Sequence, residues 1–186
     1  LKKILKPETY LDNTVHFKHP IHNYGGAKLG NAYYWVFILG IFSGLRTNEM
    51  AQMRLEDIKK ESNIWFLHVE DSEQTNVKTA NAIRKVPVHP QLMELGFIDH
   101  VTSLRKQKKD RLFWELTKTR DGYAKQLSRH FNEKYLRAVG VWERNVKVLY
   151  CTRHNFVNAL YQNKVDENVI KAVSYTHLTL PTKRIV

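Results

Sequence analysis

The sequence of 186 residues is 42% hydrophobic and carries a net charge of +12, from 30 Lys and Arg against 18 Asp and Glu. That length fits one domain with a core of its own, and the cationic excess points to a polyanionic partner, nucleic acid before an anionic membrane. The single cysteine, Cys151, excludes an internal disulfide framework and fits a reducing, cytoplasmic compartment, and no apolar run is long and uncharged enough to span a bilayer.

The chain opens Leu1-Lys2-Lys3-Ile4-Leu5-Lys6, with neither an initiator Met nor a small-residue cleavage site, which predicts a piece of a longer protein without a signal peptide. Residues 1–29, rich in His, Asn, Lys and Gly and broken by Pro7 and Pro20, read as a linker and entry segment. His16, His19 and His22 fall in this stretch; they lack a fourth ligand, so a solvated loop is preferred to a metal site. Residues 30–44 predict a buried helix ended by Gly44, with Tyr34 and Trp35 in the core. A short helix over 47–54 follows, capped by Thr47 or Asn48.

The period then changes. Residues 64–69 and 84–88 predict strands, and the polar turn 75–81 between them has room for a short strand of its own. Pro87 suits an edge strand or a strand end. Beyond Pro90 the pattern is helical at 90–95, 97–109, 121–139, 152–163 and 166–172, with Asp121 and Asp166 as candidate N-caps. The predicted class is α+β, mainly α: a helical core with a small antiparallel three-stranded sheet.

Two arginine motifs carry the chemistry. Gly44-Leu45-Arg46-Thr47-Asn48-Glu49 closes one apolar run, and Thr152-Arg153-His154-Asn155-Phe156 opens another. Two guanidinium groups brought to one point make a phosphate clamp, because each presents a planar fork of donors and keeps its charge at any working pH. Glu49, one turn beyond Arg46, is placed to orient it by an ion pair. Arg105-Lys106-Gln107-Lys108-Lys109, and Arg129, Lys134 and Arg137, are either phosphate contacts or solvated helix faces.

In order and spacing these motifs resemble the catalytic domain of the tyrosine recombinases, the phage-integrase family. The resemblance covers residues 30–172. Ser43–Met50 with Leu55-Glu56-Asp57-Ile58 is similar to the family's first-arginine box. Lys78-Thr79 followed by Arg84-Lys85-Val86-Pro87-Val88 resembles its hairpin lysine and the next strand, and 149–156 resembles its second-arginine box. The resemblance implies attack of a tyrosine hydroxyl on a DNA phosphodiester, departure of the 5′-oxygen, and a 3′-phosphotyrosine link, with no metal or nucleotide cofactor. It assigns Arg46 and Arg153 to the non-bridging oxygens. Lys78 becomes the general acid on the leaving oxygen. Double-stranded DNA becomes the partner, in a homotetramer of the full-length protein, of bacterial or phage origin.

Two positions depart from that pattern. Where the family has His, three residues before its second Arg, this chain has Tyr150; a phenol ionises near pH 10, about three units too high for a base at neutral pH. His154 follows Arg153 and is expected as a buried structural contact. The chain then runs Val173-Ser174-Tyr175-Thr176-His177-Leu178-Thr179-Leu180-Pro181-Thr182 where the family has a His/Trp turn and then its nucleophilic tyrosine. That peptide reads as the translation of a transposon-end sequencing adapter, so 173–186 is expected to be a non-native tail and the nucleophile to be missing. Removing the tail takes away Lys183 and Arg184 and leaves the charge at +10. The alternative is a non-catalytic DNA-binding protein of the same fold. Weaker rivals are a type IB topoisomerase and a helical protein-interaction module.

Overall fold

A computed structural model describes residues 30–70, 83–120, 122–138, 142–143 and 149–174. Helix α1 (Gly30–Ser43) is buried almost throughout, as its apolar sequence requires. Gly44 ends it in the left-handed region at φ 63°, the position after a helix where a β-carbon is most costly. Helix α2 (Thr47–Gln52) follows at once, then a 3-10 turn at Leu55–Asp57.

The sheet has three strands: β1 (Ile58–Glu61), β2 (Ile64–Val69) and β3 (Arg84–Pro87), in spatial order β1-β2-β3 and antiparallel throughout. The third strand is therefore β1, which is not among the strands expected from the sequence; the 75–81 stretch lies outside the described residues. Its sequence, Ile-Lys-Lys-Glu, buries only Ile58 fully, so it carries no alternating signal. Pairing to β2 through Ser62 and Asn63, both at positive φ, makes it a strand. Pro87 sits on the edge strand β3, paired with Phe66.

Helices α3 (Pro90–Glu94) and α4 (Phe97–Lys106) come next. The segment after α4 is held back against the start of the sheet: Leu55 N donates to Asp110 O at 2.9 Å and Leu112 N to Met53 O at 3.0 Å. Leu112, Phe113 and Leu116 are buried as a result. Arg105 donates to the carbonyls of Leu55 (2.7 Å) and Ile58 (2.5 Å), which gives this member of the basic run a structural task. Helix α5 (Ala124–Arg129) widens into a π-helical segment, His130–Tyr135, and closes as α6 (Leu136–Ala138). Helices α7 (Cys151–Gln162) and α8 (Glu167–Ser174) complete the described chain, α8 continuing two residues past 172.

The core forms around α1, which packs against α2, α3, α5 and α7. Trp35 meets the edge of Phe97 and stacks on His100, at centroid separations of 5.3 and 5.5 Å, and Phe37 stacks on Phe131 at 4.8 Å. Asp166 caps α8 as expected, its Oδ1 accepting from Asn168 N at 2.8 Å. Asn48 caps a different helix from the one anticipated: its Oδ1 accepts from Ala124 N at the start of α5. The expected cap Asp121 lies outside the described residues. No helix among the described residues is long and apolar enough to cross a membrane.

Candidate active site

Two glycines, Gly40 in α1 and Gly44 just past its end, decide where the second arginine motif docks. A β-carbon on Gly40 would lie 2.5 Å from the Thr152 hydroxyl oxygen, and one on Gly44 would lie 2.3 Å from the Phe156 ring. Thr152 and Phe156 are one turn apart on α7, flanking Arg153, so bare backbone on α1 admits the helix that carries it. Asn132 on the π-helical segment fixes the entry to α7 by accepting from Leu149 N at 2.8 Å.

Arg153 is buried and donates through Nη1 to the Gly44 carbonyl and through Nη2 to the Ser174 carbonyl. Burial lowers its pKa, the positive charges of Arg46 and Arg84 lower it further, and Glu49 and Tyr150 oppose them. Residues from both arginine motifs thus share one electrostatic neighbourhood, and a cation there is desolvated among other cations. Such a site favours an incoming anion.

Arg46 occupies the N-cap position of α2, so neither Thr47 nor Asn48 caps it. The Glu49 carboxylate reaches back to the Arg46 backbone, accepting from its N at 2.7 Å, and also takes Arg46 Nη1 at 2.8 Å. The Arg46 side chain is a third exposed and Glu49 is buried, so the pair presents its cation outward. Arg84 on β3 approaches Glu49 from the sheet side: Nη2 lies 2.7 Å from Oε2 and Nη1 3.2 Å from Oε1, both residues being 4% exposed at the side chain. Its Nε donates to the Val173 carbonyl at 2.8 Å. Burial pushes the Glu49 pKa up, but the hydrogen bonds and charge of Arg84, with those of Arg46, outweigh it and leave the carboxyl below its ordinary value.

Arg84 belongs to the site although its sequence context marks only a strand. The usable signal was its phase: Arg84, Val86 and Val88 alternate with Lys85 and Pro87 and are the buried set. A charged residue in phase with two buried valines needs a buried counter-charge.

Tyr150 is exposed, at the N-cap of α7, with the edge of its ring toward His154 at 5.1 Å between centroids. His154 is exposed too, contrary to the expected buried contact, because α7 turns that face away from α1. Lys78 lies outside the described residues, as do His16, His19 and His22. Of the other basic candidates, Arg129 pairs with Glu133 at 3.1 Å on an exposed face, and the Arg137 guanidinium lies 4.3 Å from the Trp142 ring centroid.

No family model and no curated protein sequence matches the chain. Solved structures do. A XerH site-specific recombinase bound to difH substrate, in a pre-cleavage complex, superposes with a TM-score of 0.55 at 20% identity, over 91% of this chain and 50% of that one. The Tn1549 transposon integrase with transposon right end DNA gives 0.52 at 14% identity, over 94% and 63%. The XerA recombinase gives 0.53 at 15% identity, over 92% and 61%. The chain spans half to just under two thirds of the length of these proteins. Its fold, mostly helical with a small three-stranded antiparallel sheet, is that of a tyrosine recombinase catalytic domain.

Proposed function

We propose that this chain is the larger part of the catalytic domain of a site-specific tyrosine recombinase or integrase, acting on double-stranded DNA. The observation that carries the proposal is the meeting of the two arginine motifs: Arg153 donates to the Gly44 carbonyl, two residues before Arg46, and Arg46 and Arg84 share the Glu49 carboxylate. Arg46 and Arg153 are assigned to the non-bridging oxygens of the scissile phosphate, where preorganised cations stabilise the charge that develops as phosphorus becomes five-coordinate. Glu49 holds Arg46. Lys78 protonates the departing 5′-oxygen, and Tyr150 stands at the position of the usual histidine as a hydrogen-bond donor to a phosphate oxygen. The tyrosine nucleophile is assigned to a segment that 173–186 replaces, so this chain binds DNA without cleaving it. The full-length protein is assigned to a homotetramer on two DNA sites, in a bacterial or phage-derived cytoplasmic setting.

The test is binding and trapping together. The chain is expected to retard duplex DNA in a gel, with weaker retardation for Arg46→Gln and Arg153→Gln. A nicked suicide duplex is expected to yield no covalent protein–DNA adduct. Absence of duplex binding at low salt sinks the recombinase assignment, and an adduct through Tyr175 sinks the claim that the nucleophile is missing.

The second reading, a DNA-binding protein of this fold without catalysis, is favoured by one observation, the replacement of the expected histidine by the exposed Tyr150. Cleavage by a chain carrying its native continuation decides against it.

A further inference from the structure

We propose that Arg84 is a positioning residue of this site: it fixes the Glu49 carboxylate from the sheet side and, through Glu49, sets the orientation of Arg46. The proposal rests on the assignment of Arg46 to phosphate. Its ground is the way four donors divide one carboxylate. Oε1 accepts from Arg46 Nη1 and Arg84 Nη1, and Oε2 from the Arg46 backbone N and Arg84 Nη2. A carboxylate has about four lone-pair sites, so Glu49 is saturated and has one orientation left.

The two arginines are unequal partners. Arg46 is a third exposed and joins Glu49 through one side-chain nitrogen. Arg84 is buried, grips Glu49 with both ends of its fork, and in this chain spends its third nitrogen on the carbonyl of Val173, the first residue of the expected non-native tail, near the C-terminus of α8. That end of a helix favours a cation, so Arg84 is held from both sides. The buried arginine is the fixed post, Glu49 the arm and Arg46 the part that moves. Removing Arg84 leaves the buried carboxylate to Arg46 alone, whose side chain is a third exposed, and the pair is then drawn toward water. Arg84 also anchors β3, so one side chain ties the first arginine motif, β3 and α8 to a common point.

The experiment uses the 186-residue chain, with inorganic phosphate as the probe and the Arg46 Nε–Hε NMR resonance as the readout. Without phosphate, the resonance reports how the Arg46 side chain is held; with phosphate, its titration gives an affinity. Arg84→Met is expected to move the Arg46 resonance toward that of a freely rotating arginine and to weaken phosphate binding about tenfold, while Arg84→Lys, which keeps the charge and loses the fork, falls about threefold. Adding Glu49→Gln to Arg84→Met is expected to weaken binding less than twofold more, since both changes cut the same arm. Should Arg84→Met fail to fold, Arg84→Lys and the double variant, which leaves no unpaired buried charge, carry the comparison. An unmoved Arg46 resonance with unchanged phosphate affinity in folded Arg84 variants overturns the positioning role, as do fully additive losses. Failure of the unsubstituted chain to bind phosphate overturns the phosphate assignment instead, and the phosphate-free resonance still decides whether Arg84 orients Arg46.

Discussion

Gly40 and Thr152 stand so close that a β-carbon on Gly40 would lie 2.5 Å from the Thr152 hydroxyl oxygen. The hydroxyl has little room to yield, because it donates to the Leu149 carbonyl at 2.8 Å. This contact sets the separation of α1 and α7, and with it the distance between the two arginine motifs. Gly40→Ala is expected to destabilise the chain by about 1–3 kcal/mol, the usual cost of overpacking a tight contact, read as a lower urea midpoint. Gly40→Ala combined with Thr152→Ser is expected to remain destabilised, since the clashing oxygen persists. An unchanged midpoint for Gly40→Ala means that the helices are not in contact there.

The Glu49 carboxyl governs stability on the acid side. Burial raises its pKa, and Arg84 and Arg46 lower it by more, so the folded chain releases this proton more readily than the unfolded chain. The stabilisation is complete above the unfolded value of about 4.3 and is lost as pH falls through the folded one. Glu49→Gln is expected to flatten the fall in urea midpoint below about pH 5 and to lower the neutral-pH midpoint, because Arg84 loses its counter-charge in a buried site. A variant with the unsubstituted acid slope removes Glu49 from the pH response.

Asp57 behaves oppositely. Burial raises its pKa, the Arg54 backbone N lowers it, and the neighbouring carboxyls of Glu70 and Glu56 raise it, for a net upward shift. The folded chain therefore holds this proton more tightly than the unfolded chain. Stability from the group is greatest below its unfolded pKa and declines as pH rises through the folded one. Asp57→Asn keeps an oxygen for the Arg54 N–H, which lies 3.1 Å from Oδ2, and supplies a donor to Glu70. It is expected to stabilise the chain at neutral pH by about 1 kcal/mol, the net worth of one hydrogen bond, with little effect in acid. Destabilisation at pH 7 contradicts this assignment.

Salt dependence separates phosphate contacts from general positive charge. If Arg46 contacts a DNA phosphate, Arg46→Gln is expected to weaken binding to unrelated duplexes alike and to reduce the slope of log affinity against log salt by about 1. The exposed Arg129, already paired with Glu133, is the control, and Arg129→Gln is expected to leave the slope within error. Equal slopes for all three proteins, measured by fluorescence anisotropy, exclude Arg46 from the DNA backbone.

The sequence by itself determined the parts whose signal is local. Continuous apolarity marked α1, Gly44 marked its end, and the spacing of Arg46 and Glu49 marked an ion pair one helical turn long. Asp166 announced the start of α8 because a cap bonds within its own first turn. Strand β1 was illegible because a polar edge strand takes its identity from the partner it pairs with, here β2. The tertiary structure alone decided what surrounds Glu49. Arg84 lies 35 positions away in sequence, and Val173 89 positions beyond Arg84, so no local period encodes either contact. The likeness in sequence named Arg46 and Arg153 as partners. The close approach of α7 to the bare backbone of Gly40 and Gly44 is what brings the two motifs into contact, Arg153 donating to the Gly44 carbonyl.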